Sequence, residues 1–309
     1  MNNRILAMLG GSLTLALLIA CGDGGGGKSD SGSGNSTVKT PSVSLATPGG
    51  TPCASSFGNS DAFGNIQFQY STGTTPWGCL VVNQADNQPT VSGINSVRIE
   101  VRPGDCDSSQ TFLSGTAVVS DCTSDRSRYE IHQRASGSTS GQIITYEYYV
   151  YIPAQANFQP PWSKTGSTPL TVLTQINWQC GAIACPSLGS NGYGSLAYLT
   201  IDNSGTLFFQ TQQDFSWVPN GKVAIDTSPF DKWIKVKFVI KSSSSGDGYI
   251  QAYANDRLLI NEARATIPNI YAYNTLKLGV YNSSISTVSK PWSTQVIYFD
   301  AFSTAVQNF

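Results

Sequence analysis

A chain of 309 residues with 40% hydrophobic and 11% aromatic content is long enough to close a substantial core. Its net charge of −1, with only 12% charged residues, excludes a general electrostatic pull toward nucleic acid or an anionic membrane surface. Affinity for a polyanion must therefore come from a local cluster, and the sequence has one, between Arg126 and Arg134.

Residues 1–20 carry an early basic residue, Arg4, and then the apolar run from Leu13 to Ala20, too short for a permanent membrane helix and expected to be a secretory signal. Leu18-Ile19-Ala20-Cys21-Gly22 resembles the lipobox of bacterial lipoproteins, which implies removal of the signal, lipidation of Cys21 and display outside the cytoplasm, in the outer membrane. Residues 21–50 are dominated by Gly, Ser, Thr, Asp and Pro. Such a segment buries too little apolar surface to offset its chain entropy and is expected to be a flexible tether. The folded unit is expected over residues 51–309, and all-β domains reach this size undivided.

Of the seven cysteines, Cys21 is expected to carry lipid, which leaves Cys53, Cys79, Cys106, Cys122, Cys180 and Cys185, an even number for an oxidising compartment. Short local spacings favour pairing 53 with 79, 106 with 122 and 180 with 185, while other pairings of six cysteines stay open. A zinc site is disfavoured: there is no Cys-x-x-Cys and a single histidine cannot complete the usual ligand sets.

From residue 51 onward short alternating or β-branched runs are punctuated by Gly, Pro, Asn and Ser, with no convincing amphipathic helix. Strands are expected over Ser96–Arg102, Arg128–Gln133, Ile143–Ile152, Leu170–Trp178, Leu196–Ile201, Thr206–Gln210, Trp233–Lys241, Tyr249–Tyr253, Arg257–Ile260, Thr275–Tyr281 and Gln295–Phe302. This pattern predicts an all-β fold, a two-sheet sandwich or jelly roll. Asn203-Ser204-Gly205 and Ser245-Gly246-Asp247-Gly248 read as hairpin turns, Asn255-Asp256 as a weaker one. Lys235, Lys237 and Lys241 form an outward row read as a solvated face or guarded edge.

Three strands split polar from apolar residues. The first places Arg126, Arg128, Glu130, His132 and Arg134 on one face and Tyr129 with Ile131 on the other, which should meet the core. His132 is the only histidine of the chain. Gln175-Ile176-Asn177-Trp178-Gln179 and Lys277-Leu278-Gly279-Val280-Tyr281-Asn282 show the same division.

In order and approximate spacing, these segments resemble the R-[S/T]-E-L-R, Q-[I/V]-H and Y-F-K-A-G-[V/I]-Y-N-Q strands of jelly-roll polysaccharide lyases: alginate lyases, and more loosely glucuronan lyases and heparin lyase I-like proteins. The resemblance covers about residues 90 to 305 and includes Tyr148-Tyr149-Val150-Tyr151-Ile152-Pro153 and Val296-Ile297-Tyr298-Phe299-Asp300-Ala301-Phe302. Against the alginate lyase pattern, Asn177 stands at the histidine of the second motif, His132 at the last arginine of the first, and Thr275 and Ser283 at the outer residues of the third. A histidine on the first strand is similar to glucuronan lyases and turns the expected substrate toward glucuronan, with alginate second.

The resemblance implies cleavage beside a uronic acid by β-elimination, giving a 4,5-unsaturated end. The C5 proton is barely acidic beside a charged carboxylate, so Gln175, Arg128 and Asn177 are expected to donate hydrogen bonds to that carboxylate and stabilise the charge developing on it. Tyr281 or His132 then serves as base and Tyr281 protonates the departing C4 oxygen. In glucuronate and mannuronate both events lie on one side of the ring and a single tyrosine suffices; guluronate or iduronate needs two groups. Arg128 and Lys277 are expected to lower the Tyr281 pKa, and Glu130 to orient an arginine. Substrate contacts are expected from Lys277, Asn177, Glu130, Arg134, Asn282 and Tyr193. Trp178 and Trp162 are candidates for sugar stacking or core packing, and Asp300 faces no identified partner.

No cofactor is required by this chemistry; the resemblance to glucuronan lyases admits a structural calcium. The expected partner is an acidic polysaccharide, with a lipid anchor as the sole membrane contact, no nucleic acid and a monomeric state. The alternative is a non-catalytic carbohydrate-binding, lectin-like protein on the same fold. A glycoside hydrolase would need two carboxylates facing each other across a cleft, and no strand offers an E-x-D-x-x-E pattern.

Overall fold

Side chains that alternate in polarity with period two can bury one face only as strands, and every strand expected above forms. The computed structural model describes residues 49–53, 66–70, 76–105, 111–114, 117–121, 123, 126–133, 139–154, 170–180, 193–213, 219–283 and 293–308. In chain order the strands are β1 (Thr51–Pro52), β2 (Ile66–Tyr70), β3 (Cys79–Asn83), β4 (Asn95–Val101), β5 (Thr111–Ser114), β6 (Ala117–Ser120), β7 (Arg126–Gln133), β8 (Gln142–Tyr151), β9 (Leu170–Cys180), β10 (Tyr193–Asp202), β11 (Leu207–Gln212), β12 (Pro219–Asp226), β13 (Trp233–Lys241), β14 (Tyr249–Ala254), β15 (Arg257–Ala263), β16 (Ala272–Ser283) and β17 (Gln295–Asn308).

An eight-stranded sheet has the order β1-β3-β4-β17-β8-β13-β14-β15, a seven-stranded sheet the order β12-β11-β10-β9-β16-β7-β2, and β5 pairs with β6. The two large sheets make a jelly-roll sandwich of antiparallel strands. Between them lies the main core, to which Tyr146, Tyr148 and Phe238 contribute from one sheet and Leu173, Ile176 and Phe209 from the other. Fully burying a side chain of this kind contributes about 1.5–3 kcal/mol. Phe209 and Phe238 meet edge to face with centroids 5.2 Å apart.

Turn chemistry follows the sequence. Gly205 adopts φ +80° in the β10–β11 hairpin, and Asn255 and Asp256, with φ 47° and 63°, form the two-residue link between β14 and β15. Strand β12 escaped prediction because Pro219-Asn220-Gly221 reads as a turn. It runs along the sheet edge, where proline needs no ladder partner. The lysine row lies on β13, an inner strand and therefore no edge: Lys235 pairs with Asp256 at 2.9 Å, Lys241 with Asp247 at 2.9 Å, and Lys237 lies 4.2 Å over the Tyr253 ring.

Cys53 and Cys79 form a disulfide, as expected. Cys180 is also disulfide-bonded; Cys185, Cys106 and Cys122 lie outside the described residues. So do the signal (1–20), Cys21 and all of the tether (21–50) but Gly49 and Gly50. Among the described residues no helix is long and apolar enough to cross a membrane.

Candidate functional site

Strand register builds the site. Across the outer face of the seven-stranded sheet, His132 on β7 stands opposite Lys277 on β16, Lys277 opposite Gln175 on β9, and Gln175 opposite Tyr198 on β10. The row continues through Gln210 on β11 to Lys222 on the edge strand β12. Directly opposed residues of an antiparallel pair have Cβ atoms about 5 Å apart, so this is one continuous polar band. Arg128 opposite Tyr281 and Thr275 opposite Asn177 flank it on either side.

A register shift between β9 and β16, after Leu278, places Val172 opposite Tyr281 and Thr171 opposite Asn282. Thr171 and Asn282 thereby face inward. Thr171 Oγ1 donates to Asn282 Oδ1 at 2.8 Å, Asn282 Nδ2 to Gln295 Oε1 at 2.7 Å, and Gln295 Nε2 back to Thr171 Oγ1 at 2.9 Å, a closed and fully buried ring. Asn282 is therefore not a substrate contact, contrary to the sequence expectation. It ties the strand bearing Tyr281 to β17 of the opposite sheet.

Arg128 is clamped from two sides. Its Nε lies 2.7 Å from Asp121 Oδ2 and its Nη1 3.5 Å from Glu130 Oε2, and its guanidinium carbon is 5.6 Å from the centre of the Tyr281 ring. Burial opposes its charge, but Glu130 and Asp121 outweigh burial and hold it protonated beyond the ordinary arginine range. Beside it, the Gln175 Nε2 donates to Glu130 Oε1. That bond spans two strand intervals, and it closes because the residue between, Gly279, has no side chain. A Cβ there would overlap the Tyr129 carbonyl oxygen and lie 2.7 Å from Glu130 Cα.

His132 is fully buried, its Nε2 3.2 Å from Thr275 Oγ1. Asn177 is equally buried and its Oδ1 accepts from Ser195 Oγ at 2.7 Å. Its Nδ2 has no hydrogen-bond partner among the described residues. Tyr281, by contrast, is partly exposed, as is Arg126. The site thus runs from an open end at Tyr281 and Arg126 to a closed end at His132, Thr275 and Asn177. Burial raises the Tyr281 pKa; Arg126 and Arg128 pull it down and Glu130 and Asp121 push it up. The expected lowering is overturned, because desolvation of the phenol and two carboxylates outweigh the guanidinium groups. Tyr198, 8% exposed, is raised chiefly by burial, with smaller contributions from Tyr281 and Glu130.

Arg128, Glu130, His132, Gln175, Asn177, Lys277 and Tyr281 thus share one sheet face, as the alternation requires. Arg134 lies outside the described residues. Tyr193 is described by its backbone alone, opposite Gln179 on β10. Trp178 is 2% exposed and packs with Ile267 and Ala272, so it belongs to the core; Trp162 is not among the described residues. Asp300 does have partners: it accepts from the Val91 backbone N–H at 2.6 Å and from the Ser92 hydroxyl at 3.0 Å, pinning the loop before β4. Asp121, Ser195 and Tyr198 were missed. Tyr198 carried a usable signal in the Leu196-Ala197-Tyr198-Leu199-Thr200 alternation, whereas nothing local marks Asp121.

Among the described residues no three His, Cys, Asp or Glu side chains come together to hold a metal ion, so they do not fit the calcium that the resemblance admits.

A family model described as polysaccharide lyase matches residues 57–303. Among solved structures, an endo-β-1,4-glucuronan lyase from the fungus Trichoderma reesei is similar with a TM-score of 0.51 and 14% identity, over 77% of this chain and 94% of that one. A family 7 alginate lyase, A1-II′, gives a TM-score of 0.49 and 11% identity over 79% and 95% of the two chains. A marine alginate lyase from Zobellia galactanivorans gives 0.47 and 15% over 69% and 78%. At these identities the glucuronan lyase likeness establishes a shared fold. No curated protein sequence gives a significant match.

Proposed function

We propose, since the chain belongs to the polysaccharide lyase family, that it cleaves a uronate-containing polysaccharide by β-elimination, glucuronan first and alginate second. The observation that carries this is the Tyr281 phenol at the open end of the site, with Arg128 against its ring and the Gln175–Glu130 pair beside it. In this reading the uronate carboxylate rests on the amide of Gln175, and its developing charge is stabilised there as the C5 proton leaves. Tyr281 takes that proton and returns one to the C4 oxygen as the glycosidic bond breaks. The proton starts on Tyr281 because burial favours the neutral phenol, and Arg126 and Arg128 stabilise the phenolate while it exists.

His132 supports the arrangement rather than acting as base: fully buried and bonded to Thr275, it lies at the closed end of the row. A single exposed tyrosine suits sugars whose C5 proton and leaving oxygen lie on the same side. That favours glucuronate and mannuronate over guluronate. Lipidation at Cys21 remains our reading of Leu18-Ile19-Ala20-Cys21-Gly22, and incorporation of labelled fatty acid that is lost on Cys21→Ser tests it.

The decisive experiment incubates the protein with glucuronan, poly-mannuronate, poly-guluronate, hyaluronan and heparin and follows ultraviolet absorbance of the new C4–C5 double bond. Glucuronan should give the fastest rise. No rise on any of the five ends this reading, and a poly-guluronate rate above the other four ends the single-tyrosine mechanism.

A further inference from the structure

We propose that Glu130 is a positioning residue that decides which way round the Gln175 carboxamide lies. The inference rests on the reading above, in which Gln175 receives the substrate carboxylate. A glutamine amide is nearly symmetric in shape but opposite in chemistry at its two ends, one donating and one accepting. Only the donating end can stabilise a carboxylate, so the site works in one of the two orientations.

Glu130 selects that orientation. It is 2% exposed, and as an ionised carboxylate it can only accept, so the NH2 end of Gln175, itself 4% exposed, is the end that turns toward it. One N–H is then bound to Glu130, and the second, fixed in the same plane, is left for an incoming acceptor. The reverse orientation would set the Gln175 carbonyl oxygen against a carboxylate in a buried setting, where an unmet polar group is costly. Glu130 is in turn held by Arg128 at 3.5 Å, and Arg128 by Asp121 at 2.7 Å. The amide of β9 is therefore oriented through Asp121, Arg128 and Glu130, across the gap that Gly279 leaves open in β16.

Replacing Glu130 by glutamine keeps the shape and removes the selection, because a second amide satisfies either orientation of the first. Glu130→Gln should lower kcat about 10-fold or more with KM within about twofold, since the lost stabilisation belongs to the transition state. The change also alters the charge around Arg128, so the cycle with Gln175→Ala is the diagnostic: in that background Glu130→Gln should change kcat by less than about twofold. A purely structural role, acting through Arg128, would remain fully additive and would overturn the inference.

A second measurement is independent of turnover. In side-chain amide NMR of the wild-type protein, one Gln175 amide proton should lie downfield of the ordinary glutamine range, as expected for a donor to a carboxylate, and Glu130→Gln should return it. An ordinary wild-type shift overturns the inference even if the variant fails to fold. Wild-type inactivity on every uronan, with the downfield proton present, would fall on the proposed function and leave the orientation of Gln175 standing.

Discussion

Gly279→Ala asks the most of the geometry described here. Gly279 has an ordinary extended backbone, so its role is to let β7 and β16 approach, with Glu130 directly opposite. An alanine Cβ would overlap the Tyr129 carbonyl oxygen and stand 2.7 Å from Glu130 Cα. Non-bonded carbons pack about 3.5 Å apart, so β7 would have to retreat locally by about 0.8 Å. Both neighbours are backbone atoms of a paired inner strand and cannot turn aside as a side chain would. Overpacking of this kind costs about 1–3 kcal/mol, and the upper end is expected. The same displacement pulls Glu130 from Gln175 and Arg128 from Tyr281. A misplacement near 1 Å costs about 100-fold in rate. Urea denaturation should show a midpoint shift equivalent to about 3 kcal/mol, and double-bond absorbance about 100-fold slower turnover, in a variant that still folds. Wild-type stability together with wild-type turnover would refute the close approach of the two strands and the site built on it.

Tyr281→Phe should leave the fold and oligosaccharide binding intact and reduce turnover by at least about 100-fold; activity near wild type would remove Tyr281 as the proton-transfer group. Asn282→Ala breaks the buried ring with Thr171 and Gln295, strands two polar groups and should destabilise the protein by about 3 kcal/mol in urea titration, whereas a surface asparagine would cost almost nothing. Burial raises the phenols of Tyr146, Tyr148 and Tyr198 above the ordinary value. The unfolded chain sheds these protons above about pH 10 while the folded chain keeps them, so stability is full below that pH and falls above it. The slope is about 1.4 kcal/mol per pH unit for each tyrosine. Denaturation midpoints that stay level between about pH 9 and pH 11 would contradict the burial of these groups.

Much of the molecule was legible in the residues alone, because alternation is local. Arg128, Glu130 and His132 share a face for the reason that Tyr129 reaches the core, and the same two-residue period set Lys277 with Tyr281 and Gln175 with Asn177. The turns at Asn203-Ser204-Gly205 and Asn255-Asp256 were legible too, since positive φ selects Gly, Asn and Asp. Tertiary structure alone decided the rest. Whether Lys277 faces His132 depends on register between strands nearly half the chain apart, which no local pattern encodes. The shift between β9 and β16 turned Asn282 inward although its neighbours promised a substrate contact. Asp121 entered the site from outside every polar strand, and the sign of the Tyr281 shift was set by total burial against two guanidinium and two carboxylate groups. Period two determines which side chains lie together on a strand. Register, close approach at one glycine and exclusion of water determine what they become, because each sums contributions from segments the sequence keeps far apart.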